Sequence, residues 1–263
     1  MDRGFAYGHG LFETVRVHDG QAPLWVKHRE RLLAGCERLL ISVDPLEIDR
    51  KLNEVLASGD GKSGIAKLIV TAGVGGRGYQ FSQSCEPVIS GLYLPLPELP
   101  SKRAIEGVAV RVCDYRLPDN PVLAGIKHLN RLDQVLARAE WSDSAVFEGL
   151  LMDARGSVIE ATCSNLFARI DNELITPKLN CNGVSGVMRR VVLEELCQKA
   201  GIPCVEKEIS LQQLIQSSEI FITNSLFGIY PVRKIIEHCE LPVGEWTKQL
   251  QQKLGERWTC YRV

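Results

Sequence analysis

Ala145-Val-Phe-Glu-Gly-Leu-Leu-Met152, followed by Asp153-Ala-Arg-Gly156 and Ser157-Val-Ile-Glu-Ala-Thr162, is the stretch on which the fold class turns. Two apolar runs rich in branched residues, joined by a turn at Arg155-Gly156, predict an antiparallel hairpin. A second short hairpin is predicted around Asp171-Asn172. Strands gathered in hairpins, instead of alternating with helices as βαβ units, predict an α+β fold.

Upstream, Leu11 to Val17 alternates as a half-buried strand does, while Leu32, Leu33, Cys36, Leu39 and Leu40 recur at helical spacing. Leu46 to Leu56 predicts a second amphipathic helix, and Ile65 to Thr71 and Val88 to Leu94 predict strands. The stretch Pro95-Leu-Pro-Glu-Leu-Pro100 and the turn Pro118-Asp-Asn-Pro121 bracket one more strand, Val108 to Cys113, and mark a domain junction. This divides the chain into a small N-terminal domain over 1–113, a loop over 114–123 and a larger C-terminal domain over 124–263. In the latter, Leu129 to Trp141 predicts a helix, as do Val187 to Ala200 and Trp246 to Trp258. Cys204 to Ile209 and Ile220 to Thr223 read as strands, and Ser210 as the cap of a short helix.

The 263 residues are 45% hydrophobic and 24% charged, which excludes disordered and fibrous classes. Lys+Arg 31 against Asp+Glu 32 leaves a net charge of -1, so no basic field gathers nucleic acid or an anionic membrane. No run is long and apolar enough to span a bilayer, and Met1-Asp2-Arg3-Gly4 opens no signal peptide, so a cytoplasmic location is expected. Nine scattered cysteines without CxxC predict reduced thiols, and five histidines without HxxxH or HxH predict no metal site.

Gly73-Val-Gly-Gly-Arg-Gly78 fits the dinucleotide pattern GxGxxG after a strand. The following Tyr79-Gln-Phe-Ser-Gln-Ser-Cys-Glu-Pro87 has no helical periodicity, whereas a dinucleotide loop must open a helix. The glycines are therefore expected to form a loop that carries Arg77 and Tyr79. Lys127, in Ala124-Gly-Ile-Lys-His-Leu-Asn-Arg-Leu132, has apolar neighbours at Ile126 and Leu129. An amine so placed can form a Schiff base with a carbonyl group. Glu160, in Glu160-Ala-Thr-Cys-Ser-Asn165, is a strand-borne carboxylate suited to keep a pyridine nitrogen protonated. Gly183-Val-Ser-Gly-Val-Met-Arg189 opens a helix whose first amides make an anion site, with a plain helix capped by Ser185 as the competing reading. Ile222-Thr-Asn-Ser-Leu226 offers polar groups at a strand end. In His28-Arg-Glu-Arg31-Leu32, Arg31 abuts apolar residues and is a candidate phosphate clamp.

These residues in this order resemble the fold-type IV pyridoxal-phosphate enzymes: branched-chain aminotransferases, D-amino acid aminotransferases and aminodeoxychorismate lyases. Arg3-Gly4, Tyr7-Gly8 and Gly10-Leu-Phe-Glu-Thr14 are similar to the opening strand of that family. The resemblance implies a two-domain α+β fold of the D-amino acid aminotransferase type, with pyridoxal phosphate at the domain junction. It implies Lys127 as the Schiff-base lysine, and cofactor contacts from Arg31, Glu160, Asn165, Val187, Met188, Ser225 and Leu226. Substrate contacts are implied for Tyr7, Thr14, Arg77, Tyr79 and Asn224.

Ala124 to Leu136 and Gly75-Gly-Arg-Gly-Tyr79 most resemble the lyase branch of the family. That branch implies conversion of 4-amino-4-deoxychorismate to 4-aminobenzoate and pyruvate, by a homodimer. An aminotransferase of the same fold is the alternative, and a noncatalytic cofactor carrier a third.

Overall fold

The computed structural model describes residues 1–80 and 85–263. Phe81 to Ser84, part of the segment after the glycine-rich loop, lie outside the described residues; from Gly73 to Gln80 and from Cys85 to Pro87 there is no helix. Two compact units form, one from 1–97 with 126–131 and the other from 98–125 with 132–263.

In the first unit, β1 (Gly10–Val17), β2 (Gly64–Thr71) and β3 (Val88–Pro95) make an antiparallel sheet in that order. The strands follow the expected ranges closely. The opening differs: Arg3–Tyr7 is a short helix, α1, and only Gly10 onward is strand. The Asp2 side chain accepts the N–H groups of Gly4 and Phe5, and Gly8 ends the helix in the left-handed region at φ 66°. These local caps outweigh an extended start. Helices α2 (Trp25–Arg38) and α3 (Pro45–Ala57) cover one face of the sheet. α3 begins with Asp44 capping Leu46 and Pro45 in the first turn. Leu11, Val15 and Val17 meet Leu32, Cys36, Ile48, Leu52 and Leu68 in the core between them.

Glu13 shares that inward face of β1 and is 1% exposed. Its carboxylate accepts Arg31 Nε–H at 2.8 Å, Arg31 Nη2–H at 2.5 Å and His28 Nδ1–H at 2.6 Å. Burial pushes the Glu13 carboxyl up, but the Arg31 charge and then His28 hold it down at about 2. Burial is also the main reason His28 is held below its ordinary value.

The second unit is built on a sheet of order β6-β5-β4-β11-β10-β7-β8-β9, with β12 on β11. The ranges are β4 (Val108–Leu117), β5 (Val146–Asp153), β6 (Val158–Ala161), β7 (Asn165–Ile170), β8 (Glu173–Pro177), β9 (Cys204–Lys207), β10 (Glu219–Asn224), β11 (Gly228–Ile235) and β12 (Cys239–Glu240). The predicted hairpin is β5–β6: Gly156 turns at φ 86°, and the Asp153 carboxylate accepts the N–H groups of Arg155 and Ser157. The sequence division at 113 differs from this arrangement, because β4 pairs in parallel with β5 and β11. β11 was not foreseen, since Pro231 interrupts its pattern. Its pairing with β4 starts at Val232, so the missing proline N–H is not required there.

Helices α4 (Ser101–Glu106), α5 (Leu132–Arg138), α6 (Val187–Val191), α7 (Cys197–Ala200), α8 (Leu211–Ile215) and α9 (Glu245–Arg257) complete this unit, with a π-turn, Val192–Leu196, joining α6 to α7. Ser210 caps α8 in a reciprocal box with Gln213. Glu219 of β10 anchors α9 by accepting Thr247 N–H and O–H at 3.0 and 2.8 Å. Gln251 donates from α9 to the carbonyls of Ala104 and Ile229. The helix expected from Leu129 starts only at Leu132, because backbone pairing with β1 draws Ile126 to Arg131 into the first unit.

Packing around β5 is tight enough to test. A Cβ on Gly149 would come within 2.3 Å of Cys113 Sγ and 2.9 Å of the Trp141 ring. Gly149→Ala is expected to cost about 1–3 kcal/mol, read as a lower urea midpoint, and Cys113→Ala in that background to recover part of it. A wild-type midpoint for Gly149→Ala would contradict this packing. Acid stability tests the charge buried on β1. The folded Glu13 carboxyl, at about 2, titrates below its ordinary 4.5, so its contribution is present above pH 4.5 and lost as pH falls toward 2. That contribution is on the order of 3 kcal/mol. His28 acts in the same direction below its ordinary 6.5, because the unfolded chain takes the proton more readily. Denaturation midpoints across this range should fall steeply for the wild type and less steeply for Glu13→Gln.

Candidate active site

Lys127 stands on an extended segment beside β1. Phe12 N–H donates to Lys127 O at 3.1 Å, and Leu129 N–H donates to Gly10 O at 2.9 Å. The Lys127 side chain is half-buried, with Nζ 4.4 Å from the centroid of the Phe12 ring. The residues after it brace the segment. Arg131 Nε donates to His128 O at 2.9 Å, and Arg131 Nη2 lies 2.6 Å from His128 Nε2. Burial and then the Arg131 charge push His128 down to about 4, so its ring is neutral and accepts at Nε2. Asn130 Nδ2 donates to Gly8 O at 3.1 Å, beside the end of α1.

Other candidates of this unit fall into separate places. Arg31 points inward from α2 into the fork of Glu13. Thr14 lies half-buried on the opposite face of β1, where Phe12 also sits. Tyr7 and Tyr79 are brought together, with ring centroids 5.4 Å apart. Their neighbour Arg3, 5% exposed, donates to the carbonyls of Gly78, Tyr79 and Gln80 at 3.1 to 3.2 Å. The glycine-rich loop is thus held by a cation on its own carbonyls, while Arg77 is exposed. Arg3 Nε also donates to His9 Nδ1, and His9 Nε2–H to Leu39 O at 2.9 Å.

In the second unit Glu160, 4% exposed, is placed by β6. Its Oε2 accepts Val184 N–H at 2.8 Å and its Oε1 accepts Gln134 Nε2–H at 3.3 Å. Asn165 fixes the same loop: Nδ2 donates to Val184 O at 2.8 Å, and a Cβ on Gly186 would come within 2.0 Å of Oδ1. Gly125 exchanges backbone bonds with this loop, its N–H to Gly183 O at 2.9 Å and Ser185 N–H to its O at 3.0 Å. Gly183 turns at φ 79° with Glu160 Oε2 3.3 Å from its Cβ position, so no other residue fits there comfortably. The loop leads into α6, where the cap position is Gly186 and not Ser185, and no side chain caps it. The amides of Val187 and Met188 therefore open the helix without a capping oxygen.

Ser225 and Leu226 form the turn between β10 and β11. Asn224 Oδ1 accepts the N–H groups of Leu226 and Phe227 at 2.9 and 3.1 Å, so the Leu226 amide is already engaged. Asn224 Nδ2 donates to Ser164 Oγ at 3.2 Å, and Ser164 Oγ–H to Glu148 Oε1 at 2.5 Å. Glu148 also accepts Cys163 N–H at 2.8 Å. Burial pushes the Glu148 carboxyl up, against these hydrogen bonds. One buried carboxylate thus shapes the turn that separates Glu160 from Asn165. Among the described residues no group of three or more His, Cys, Asp or Glu side chains is arranged to hold a metal.

Sequence reasoning missed Glu13, Gln134, Glu148 and Arg3. The two acids did leave a signal: Glu13 takes an apolar position in the alternation Leu11, Val15, Val17, and Glu148 interrupts the apolar run between Phe147 and Gly149-Leu150.

Comparison with known proteins adds ancestry. The family model for class IV amino-transferases matches residues 10–235. An aminodeoxychorismate lyase of Vibrio harveyi is 36% identical over 97% of this chain and 94% of its own. A crystal structure of 4-amino-4-deoxychorismate lyase from Pseudomonas aeruginosa superposes with a TM-score of 0.93 at 44% identity, covering 97% of this chain and 93% of that one. A D-alanine aminotransferase of Bacillus licheniformis is 28% identical over 89% of this chain and 81% of its own. With its family match spanning most of its length and lyase relatives covering nearly all of it, the chain belongs to the class IV aminotransferase family.

Proposed function

We propose that the chain is a pyridoxal-phosphate-dependent lyase that converts 4-amino-4-deoxychorismate to 4-aminobenzoate and pyruvate. The observation that carries the cofactor reading is Glu160, a buried carboxylate oriented by the Val184 amide of the loop that opens α6 and by the Gln134 carboxamide of α5. The choice of elimination over transamination rests on likeness to lyases at 36 and 44% identity over nearly the whole chain.

Each unit offers donors whose chemistry suits the cofactor. Glu160 supplies an anion for a pyridinium N–H, and Lys127 supplies an amine for a carbonyl carbon. Val187 and Met188 supply uncapped helix amides for a phosphate, and Arg31 a guanidinium whose plane is already set. Pyridoxal phosphate, when bound, supplies an electron sink conjugated to the amine-bearing carbon of the substrate. Lys127 Nζ would be the amine that holds the cofactor, and the same Nζ would take the proton from the amine-bearing carbon of the substrate and return it to the departing methylene as pyruvate forms. Phe12, with its ring centroid 4.4 Å from Nζ, would limit the side from which that amine acts. Asn165 and Gly125 keep the loop beneath Glu160 in one conformation. Ser225 and Leu226 are proposed as further phosphate contacts, and Tyr7, Thr14, Arg77, Tyr79 and Asn224 as substrate contacts. Arg77 is the group suited to a substrate carboxylate.

The same reading makes the protein a cytoplasmic homodimer. In its support, Leu132, Val135 and Leu136 on α5 are 72, 58 and 53% exposed, an apolar surface of the kind a second copy covers. Among the described residues no helix is long and apolar enough to cross a membrane.

Enzymatically generated aminodeoxychorismate offered to the wild type should give fluorescent 4-aminobenzoate, and Lys127→Ala none. Cofactor-loaded wild type without product, but forming the pyridoxamine cofactor with an amino acid donor, would replace the lyase by an aminotransferase. Glu160→Gln should retain the cofactor and lose about 100-fold or more in kcat, measured in the same assay. A fully active Glu160→Gln enzyme would remove Glu160 from the ring-nitrogen role.

A further inference from the structure

Glu13 is an acid on the apolar face of β1, among Leu11, Val15 and Val17, and its oxygens are matched by three N–H groups. A buried ion pair adds little stability over apolar residues of the same volume. A gain over an apolar residue therefore does not explain an acid at this position, although the acid, once buried, favours the fold in its ionised form; geometry does explain it. Arg31 meets the carboxylate edge-on through Nε and Nη2, a two-point contact that fixes the guanidinium plane as a single hydrogen bond cannot. His28, fully buried on α2, binds Oε2 from its own side and restrains the carboxylate against rotation. Outside the fork are the two N–H groups of Nη1 and one of Nη2, turned away from Glu13 by the planarity of the group.

We infer that Glu13 is the positioning residue that aims Arg31 at the phosphate of the cofactor, with His28 as its brace. The inference rests on the reading of Arg31 as a phosphate ligand. A purely coulombic view gives the opposite sign. Glu13 cancels the Arg31 charge, so its neutralisation would strengthen attraction for a dianionic phosphate. Orientation and charge thus predict changes in opposite directions, and one measurement separates them.

Pyridoxal phosphate and pyridoxal, which lacks the phosphate, are titrated into the cofactor-stripped full chain, and binding is read from the visible absorption band. The chains compared are wild type, Glu13→Gln, Arg31→Gln and the double variant. Glu13→Gln should weaken pyridoxal phosphate about tenfold while pyridoxal stays within about twofold. The double variant should bind no more weakly than Arg31→Gln alone, because Glu13 acts through Arg31. Unchanged or tighter binding of pyridoxal phosphate by Glu13→Gln overturns the inference, as does an equal loss for both ligands, which marks a merely structural role. Arg31→Gln that keeps the wild-type preference for the phosphorylated ligand overturns instead the reading of Arg31 on which the inference stands. Glu13→Asp, which keeps the anion but shortens its reach, provides the same comparison if Glu13→Gln does not fold, with a smaller selective loss expected.

Discussion

The backbone pairing of the Lys127 segment with β1 is the constraint on which the role proposed for that lysine depends. At Lys127 and Leu129 the chain pairs with Phe12 and Gly10. Backbone groups buried without partners are costly, so a segment paired on both sides of His128 has little freedom. A flexible lysine stem is thereby given a fixed root, and what remains for side chains is aim: Phe12 faces Nζ, and Arg131 and Asn130 tie down the following turn.

The same economy recurs in the second unit. Glu160 and Asn165 are separated by a turn that Glu148 holds through Ser164 and Cys163, and both reach the loop that opens α6. Gly186 allows that loop to pass against Asn165, where a Cβ would come within 2.0 Å of Oδ1, and a Cβ on Gly183 would come within 2.7 Å of Leu179. Buried carboxylates here are organisers as much as reagents. Glu13 orients a guanidinium, Glu148 shapes a turn and Glu219 anchors a helix. Each takes an acid out of water and meets it with at least two hydrogen-bond donors, which favours one arrangement of the groups around it.

Much of this is legible in the sequence because it depends on local pattern. The strands β1, β2 and β3, the helices α2 and α3, and the hairpin at Arg155-Gly156 come directly from periodicity and turn chemistry. What escaped depends on partners distant in the chain. Apolar spacing from Leu129 matches a helix, yet the edge of β1, more than a hundred residues earlier, claims that segment as extended chain. Pro231 hides β11 because only the register with β4 shows that its N–H is not needed. Arg3-Gly4 reads as strand until the Asp2 cap and the turn at Gly8 are seen to close a helix. Among candidate site residues, Lys127, Glu160 and the opening of α6 stood out by chemical type and spacing. Glu13 and Glu148 did not, since their roles lie in which donors surround them.

The central claim is that Lys127 is the amine that carries the cofactor. Its most direct test is to reduce the pyridoxal-phosphate-loaded wild-type chain with borohydride, digest it, and find by mass spectrometry which lysine bears the phosphopyridoxyl group. The account predicts a single modified peptide with the label on Lys127; a label on any other lysine, or spread across several surface lysines, would contradict it.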